Sequence, residues 1–159
     1  MDTILYLGVE GVLFHLTARS RSNYRRARIV PSVEPLPLLE PLSTIIERQT
    51  RLKIVLNSWL VADYGFRQLL RMLPACISQK AIGATIGGNR LHSRPVTHCA
   101  RAVLLREDVE KRKPIHLAIV DASRSAIPTE LLHRSILVNE LDMQSPTQFT
   151  AIFNRLVNS

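Results

Sequence analysis

Short apolar runs separated by longer amphipathic stretches are the feature that most constrains the fold of this chain. Five such runs lie at residues 4–7, 53–57, 81–84, 116–120 and 136–138. Strands this apolar are typical of a parallel sheet that is covered on both faces. Right-handed crossover connections then bring the carboxyl ends of the strands to one edge of the sheet. The sequence therefore predicts an α/β, three-layer Rossmann-like fold with a parallel sheet of about five strands.

Helical periodicity and proline positions predict the helices between these strands. The first predicted helix ends near Thr50, and the second spans Val61–Leu73, just before Pro74. A third begins near Pro95 and ends at about residue 113, and the last runs over residues 146–156. The predicted inner faces of the first and third helices carry Leu42, Ile45, Ile46, Val96, Ala100, Val103, Leu104 and Val109.

Length and hydropathy limit the class of protein. A chain of 159 residues with 46% apolar content fits one compact domain, residues 1–159. No apolar run approaches the roughly 20 residues of a membrane span. The first residues carry no basic, apolar secretory signal. We therefore expect a cytoplasmic protein with no membrane partner.

The formal charge of +8 favours anionic partners, and much of it lies in one segment. This segment has no helical or strand periodicity, which predicts a basic loop at about residues 15–34. A solvated loop without a ligand is one interpretation. The other is contact with phosphate groups or nucleic acid through its five arginines, Arg19, Arg21, Arg25, Arg26 and Arg28. The sequence identifies no protein partner.

Polar residues follow three of the predicted strands at the carboxyl edge. Gly8 to Glu10 follow the first strand, Asn57 and Ser58 the second, and Asp121 the fourth. Two facing carboxylates, with a hydroxyl or amide to hold a phosphate oxygen, form a magnesium-dependent phosphoryl-transfer site. We therefore expect the first and fourth strands to be neighbours, with Glu10 and Asp121 within reach of each other. Taken singly, each carboxylate could equally be a capping or turn residue.

Three motifs at these strand ends occur in the order found in one hydrolase superfamily. The chain has GVEGV at 8–12, where that superfamily has Asp-x-Asp-Gly-Val, and IVLNSW at 54–59, where it has an apolar strand ending in Ser or Thr before Trp. RAVLLREDVEKRKPIHLAIVDAS at 101–123 is similar to its helix with a basic residue followed by a strand ending in an acidic pair. Arg101 best matches the basic residue, with Arg94 second. Over nearly its whole length the chain resembles the haloacid dehalogenase-like (HAD) superfamily, and most closely its small, cap-poor branch associated with RNA-repair systems.

The resemblance implies a site that has lost part of its chemistry. In this superfamily the first aspartate attacks phosphorus and ligates Mg²⁺, but its position here is Gly8. Glu10 matches the acid/base aspartate, and the acidic pair keeps only Asp121. The resemblance thus makes Glu10 and Asp121 vestigial or atypical catalytic residues and weak Mg²⁺ ligands. It makes Asn57, Ser58 and Arg101 phosphate-binding residues.

Three functions are compatible with these residues. The one we favour is a degenerate HAD-like domain that binds a phosphorylated ligand, nucleic acid or a protein partner, or acts as a regulatory module. The alternative is an active Mg²⁺-dependent phosphohydrolase in which Asp121 and Glu10 hold a metal that activates water without a covalent intermediate. A basic scaffold protein is the third. A Gly8→Asp variant is expected either to gain a trace of activity or to lose stability at a position shaped for glycine.

Overall fold

A computed structural model describes residues 2–16, 33–87, 100–138 and 145–158 of the chain. The strands in these ranges are β1 (Thr3–Leu7), β2 (Phe14–Leu16), β3 (Val33–Pro35), β4 (Leu52–Leu56), β5 (Ala81–Ala84), β6 (His116–Asp121) and β7 (Ser135–Leu137). Five of them form a sheet in the order β5-β4-β1-β6-β7, and every pairing in it is parallel. The predicted fold class is confirmed, as is the predicted pairing of the first strand with the fourth, here β1 with β6.

Strand β1 lies at the centre of the sheet and is buried along its whole length. Its alternate residues belong to two different cores, because successive side chains of a strand point to opposite faces. Leu5 and Leu7 lie in one core, and Ile4 and Tyr6 lie in the other. The chain extends the sheet from β1 first towards β5 and then towards β7, so the strand order reverses at β1. Ligands of open α/β sheets bind beyond the carboxyl ends of the strands at such a reversal.

Helices cover both faces of this sheet. In chain order they are α1 (Leu39–Arg48), α2 (Leu60–Tyr64), α3 (Phe66–Met72), α4 (Ala75–Ser78), α5 (Arg101–Arg112) and α6 (Pro146–Asn158), with 3₁₀ turns at Arg124–Ala126 and Thr129–Arg134. The larger core contains residues of α1 and α6, and the smaller core contains residues of α5 and the 3₁₀ turns. Within the described ranges, no helix has the length and apolarity needed to span a membrane.

Two details of the predicted helices are wrong. The helix predicted over Val61–Leu73 is two helices, α2 and α3, because Gly65 between them has a positive φ of 81°. Val103, assigned to the inner face of the third helix, is 37% exposed, whereas Leu105 is fully buried against the sheet. The inner face of α5 is therefore rotated from the predicted one. The predicted start of that helix near Pro95 lies outside the described residues.

The two ends of the basic loop predicted at about residues 15–34 form the antiparallel strands β2 and β3 in the structure. Phe14 pairs with Pro35, and His15 pairs with Glu34. A tight turn leads from β1 into this pair, with Gly11 at a positive φ of 74° and its N–H donating to the carbonyl of Phe14. The arginine-rich segment connects β2 to β3. Its residues 17–32 lie outside the described part of the chain.

A buried polar contact fixes α5 against the centre of the sheet. The hydroxyl of Tyr6, a fully buried residue, donates to Oδ2 of Asp108 at 3.0 Å. Asp108 also accepts from Nε of Arg112 at 2.7 Å, one turn further along α5. Burial, together with the charge of Asp108, raises the pKa of Tyr6 far above its ordinary value. The phenol therefore stays protonated and keeps donating its hydrogen bond over the physiological pH range.

Replacing Tyr6 with phenylalanine tests this contact. The variant should lose about 2 kcal/mol of unfolding free energy, because a hydrogen bond to a charged group is lost at a buried site. Urea denaturation measures the loss. An Asp108→Asn variant is the matched comparison, since it keeps an acceptor for the phenol and removes only the charge. An unchanged denaturation midpoint for Tyr6→Phe would contradict the assigned contact.

Candidate functional site

Three strands deliver the predicted site residues to one edge of the sheet. The parallel ladder continues one residue beyond β1, because Gly8 donates its N–H to the carbonyl of Val120 at 2.8 Å. On the other side, Asn57 donates its N–H to the carbonyl of Leu7 at 2.9 Å. These backbone bonds hold the ends of β1, β4 and β6 side by side. Asn57, Ser58 and Asp121 are all fully buried at this edge.

An ion pair between Arg101 and Asp121 occupies the centre of the edge. Nη1 of Arg101 donates to Oδ2 of Asp121 at 3.0 Å, and Nη2 donates to Oδ1 at 3.3 Å. Nη1 also donates to the main-chain carbonyl of Asn57 at 2.7 Å. The carboxyl group of Asp121 accepts a third hydrogen bond, at Oδ1, from the N–H of Ser123 at 2.9 Å. Arg101, the first residue of α5, is 12% exposed at its side chain and thus closes the pair off from solvent.

The carboxyl group of Asp121 lies directly against Gly8. A Cβ atom built on Gly8 would be 2.5 Å from Oδ2 and 2.8 Å from Cγ of Asp121, much closer than such atoms approach each other in proteins. Any side chain at position 8 would therefore have to displace a buried, ion-paired carboxylate. Of the two outcomes expected for Gly8→Asp, this geometry favours the loss of stability.

Glu10 and Ser58 form a second polar contact at the same edge. Ser58 donates its hydroxyl hydrogen to Oε2 of Glu10 at 2.7 Å. The N–H of Leu60, the first residue of α2, donates to the same hydroxyl at 3.2 Å. Because β1 and β6 are neighbouring strands, Glu10 and Asp121 follow adjacent strands at the same edge of the sheet. Their joint role in a site stays a prediction.

Asn57 connects the site to two neighbouring segments. Its amide Nδ2 donates to the carbonyl of Ala126 at 3.4 Å, and its Oδ1 accepts from the hydroxyl of Thr85 at 2.9 Å. Thr85, Ala126 and the N–H of Ser123 are not among the site groups predicted from the sequence. Thr85 follows β5 directly. A search for polar residues after every predicted strand would therefore have included it.

The predicted phosphate-binding residues share this edge, and their polar groups are already hydrogen-bonded within the chain. The amide of Asn57, the hydroxyl of Ser58 and the guanidinium of Arg101 each have a protein partner. A phosphate group would have to displace at least one of these partners. Their role as phosphate ligands stays a prediction. Arg94, the second match for the basic residue, lies outside the described residues, as do the five arginines between Arg19 and Arg28.

The carboxylates at this edge are hydrogen-bonded within the chain, and their role as Mg²⁺ ligands stays a prediction. Mg²⁺ requires near-octahedral oxygen ligands at short distance. Both oxygens of Asp121 accept hydrogen bonds from protein donors, and Oε2 of Glu10 accepts from Ser58. In residues 2–16, 33–87, 100–138 and 145–158, no group of three or more His, Cys, Asp or Glu side chains could hold a metal ion.

Burial sets the protonation behaviour of Asp121. The loss of hydration on burial raises the pKa of this carboxyl above its ordinary value of about 3.8, and the charge of Glu10 adds to the rise. Arg101 and the N–H of Ser123 act in the opposite direction but do not cancel the effect of burial. Among the groups that favour the charged form of Asp121, Arg101 has the largest effect.

Comparison of the chain with protein-family models, with curated proteins and with solved structures found no match. The likeness to the HAD superfamily thus depends on the three motifs and on their places at the ends of β1, β4 and β6.

A first prediction concerns the space beside Gly8. Gly8→Ala should cost about 1–3 kcal/mol of unfolding free energy, because its Cβ overlaps the Asp121 carboxyl. The same substitution in an Asp121→Ala background should cost much less, since the overlapping atoms are gone. Gly87→Ala is the matched control, because its Cβ has no neighbour within 4 Å. Equal costs of Gly8→Ala in the two backgrounds, measured by urea denaturation, would disprove the overlap.

A second prediction concerns pH. Because the folded state raises the pKa of Asp121, it binds more protons than the unfolded state between pH 3.8 and the raised pKa. The stability contributed by this carboxyl should therefore fall as pH rises through that window and then level off. Asp121→Asn has no such titration. The stability of the wild type relative to this variant should accordingly decrease with pH in urea denaturation series, and an increase would show that the pair lowers the pKa.

Proposed function

We propose that this chain is a HAD-like domain that has lost aspartyl-phosphate chemistry and acts by binding nucleic acid through its phosphates. The loss of aspartyl-phosphate chemistry is supported by the position of the Asp121 carboxyl group. Its carboxyl fills the space beside Gly8, where the resemblance puts the attacking aspartate, and Arg101 neutralises it.

Membership of the superfamily is supported by position as well as by motif. The three motif segments lie at the ends of β1, β4 and β6, which are adjacent strands of one parallel sheet. Arg101 reaches the same edge from the start of α5.

The proposed loss of catalysis is supported by the missing nucleophile at position 8 and by the hydrogen bonds of the two carboxylates. Gly8 has no nucleophile, and a covalent aspartyl phosphate cannot form without one. The carboxylates of Asp121 and Glu10 are held by hydrogen bonds within the chain, which leaves Mg²⁺ without an adequate ligand set. At this edge Arg101 is paired with Asp121, and Glu10 accepts a hydrogen bond from Ser58.

The choice of ligand follows from where the excess charge lies. The described ranges contain 14 Lys and Arg against 11 Asp and Glu, which is close to balance. Residues 17–32 contain five arginines and no acidic residue. Lysine and arginine contacts to phosphates dominate nucleic-acid affinity and need no defined pocket. We therefore propose a cytoplasmic nucleic-acid-binding protein, with Arg19, Arg21, Arg25, Arg26 and Arg28 as its main phosphate contacts.

Phosphatase assays test the loss of catalysis. With Mg²⁺ or Mn²⁺ and a panel of phosphate esters, the wild type should show no turnover above an Asp121→Ala control. The variant loses the buried carboxylate of Asp121, so it reports any reaction that needs this group. Turnover by the wild type that disappears in Asp121→Ala would overturn the proposal and favour metal-activated hydrolysis.

Salt dependence tests the binding activity. Affinity for single-stranded RNA should fall steeply with salt, by roughly 0.7 logarithmic units per tenfold rise for each phosphate contact. Replacing the five arginines with glutamine should reduce that slope by up to about 3.5. The matched control neutralises five exposed cations near the opposite edge of the sheet, Arg48, Arg51, Lys111, Lys113 and Arg155. Binding that is absent at low salt, or an equal loss of slope in both variants, would refute this role.

A further inference from the structure

The donors around the Asp121 carboxylate have the composition of an oxyanion site. Two guanidinium N–H groups of Arg101 and one main-chain N–H of Ser123 converge on its two oxygens. Fork-shaped guanidinium contacts of this kind are the usual means by which proteins hold carboxylate and phosphate groups. Here the bound oxyanion belongs to the chain itself.

The donors are held in place independently of the anion that they bind. Nη1 of Arg101 also donates to the carbonyl of Asn57, whose backbone continues the β1–β4 ladder. The amide of Asn57 is in turn fixed by Thr85 and Ala126. The guanidinium should therefore keep its orientation when the carboxyl group of Asp121 is removed.

Space for a replacement anion exists because position 8 has no side chain. The Asp121 carboxyl lies where a Cβ of Gly8 would be, so its removal opens a gap between Gly8 and Arg101. Glu10, which accepts a hydrogen bond from Ser58 at the same edge, is a carboxylate whose charge opposes the binding of another anion there. Arg101 supplies the positive charge.

We infer that Arg101 and the N–H of Ser123 form an oxyanion-binding site that Asp121 occupies as its own ligand, so that external oxyanions bind only when this carboxyl is removed. The side chain of Asp121 thus blocks the site. The inference rests on the proposed function, since it makes any phosphate contact of Arg101 conditional on displacing Asp121.

Oxyanion binding to Asp121→Ala tests the inference. Formate and phosphate, each at constant ionic strength set with chloride, should raise the thermal midpoint of Asp121→Ala and leave that of the wild type unchanged. Arg101→Met/Asp121→Ala should bind them at least about tenfold more weakly. Stabilisation by formate alone would identify a site of carboxylate size, and stabilisation by phosphate as well would identify a phosphate-ester site.

Two further variants keep the test decisive. If Asp121→Ala does not fold, Asp121→Ser also removes the carboxyl group, opens the same gap beside Gly8 and should show the same anion response. Glu10→Gln/Asp121→Ala should bind oxyanions more tightly than Asp121→Ala, because the opposing charge is gone while Ser58 keeps an acceptor. Equal responses of wild type and Asp121→Ala, or a response that survives Arg101→Met, would overturn the inference. RNA binding and the phosphatase assay are read separately, so their failure would count against the proposed function alone.

Discussion

A buried carboxylate needs a partner, and the rest of the site depends on how this chain supplies one to Asp121. Leaving a charge unpaired in the interior costs several kcal/mol. Arg101 provides the countercharge with two hydrogen bonds, and Ser123 adds a third. The pair fits only because Gly8 has no side chain. Glycine at position 8 and arginine at the start of α5 are thus parts of one arrangement.

Helix α5 connects this pair to the centre of the sheet. Leu105 is buried in the smaller core, and Asp108 accepts the hydrogen bond of Tyr6 from β1. These contacts set the rotation and height of the helix, and thereby bring Arg101 at its first residue to the ends of β4 and β6. Packing on one face of the sheet accordingly determines the geometry at its edge. The exposed Val103 shows which side of α5 faces solvent.

The sheet and the membership of the site could be predicted from the sequence because both depend on local patterns. Apolar runs mark β1, β4 and β6, and the parallel connections place Gly8, Asn57 and Asp121 at one edge. The side-chain contacts among those residues could not be predicted. The Asp121 carboxyl occupies the space that a Cβ at position 8 would need. This overlap depends on side-chain directions in two neighbouring strands, and the spacing of apolar residues in the sequence carries no information about it.

Smaller elements were missed for equally physical reasons. Strands β2 and β3 have three residues each, too few for a visible alternation beside an arginine-rich segment. Gly65 lies within the helix predicted over Val61–Leu73, whereas its positive φ separates α2 from α3. The face of α5 was misjudged because charged residues dominate its sequence, and its buried positions are few.

The most direct measurement of the central claim is a double-mutant cycle on the buried pair. Unfolding free energies of the wild type, Arg101→Met, Asp121→Asn and the double variant give the coupling between the two side chains. We predict that each single change costs about 3 kcal/mol or more, because it leaves one buried group without its partner, and that the double change costs clearly less than the sum. A coupling of at least about 2 kcal/mol is the expected result. Additive costs would show that Arg101 and Asp121 act independently, and would contradict the view that Asp121 fills and closes the site.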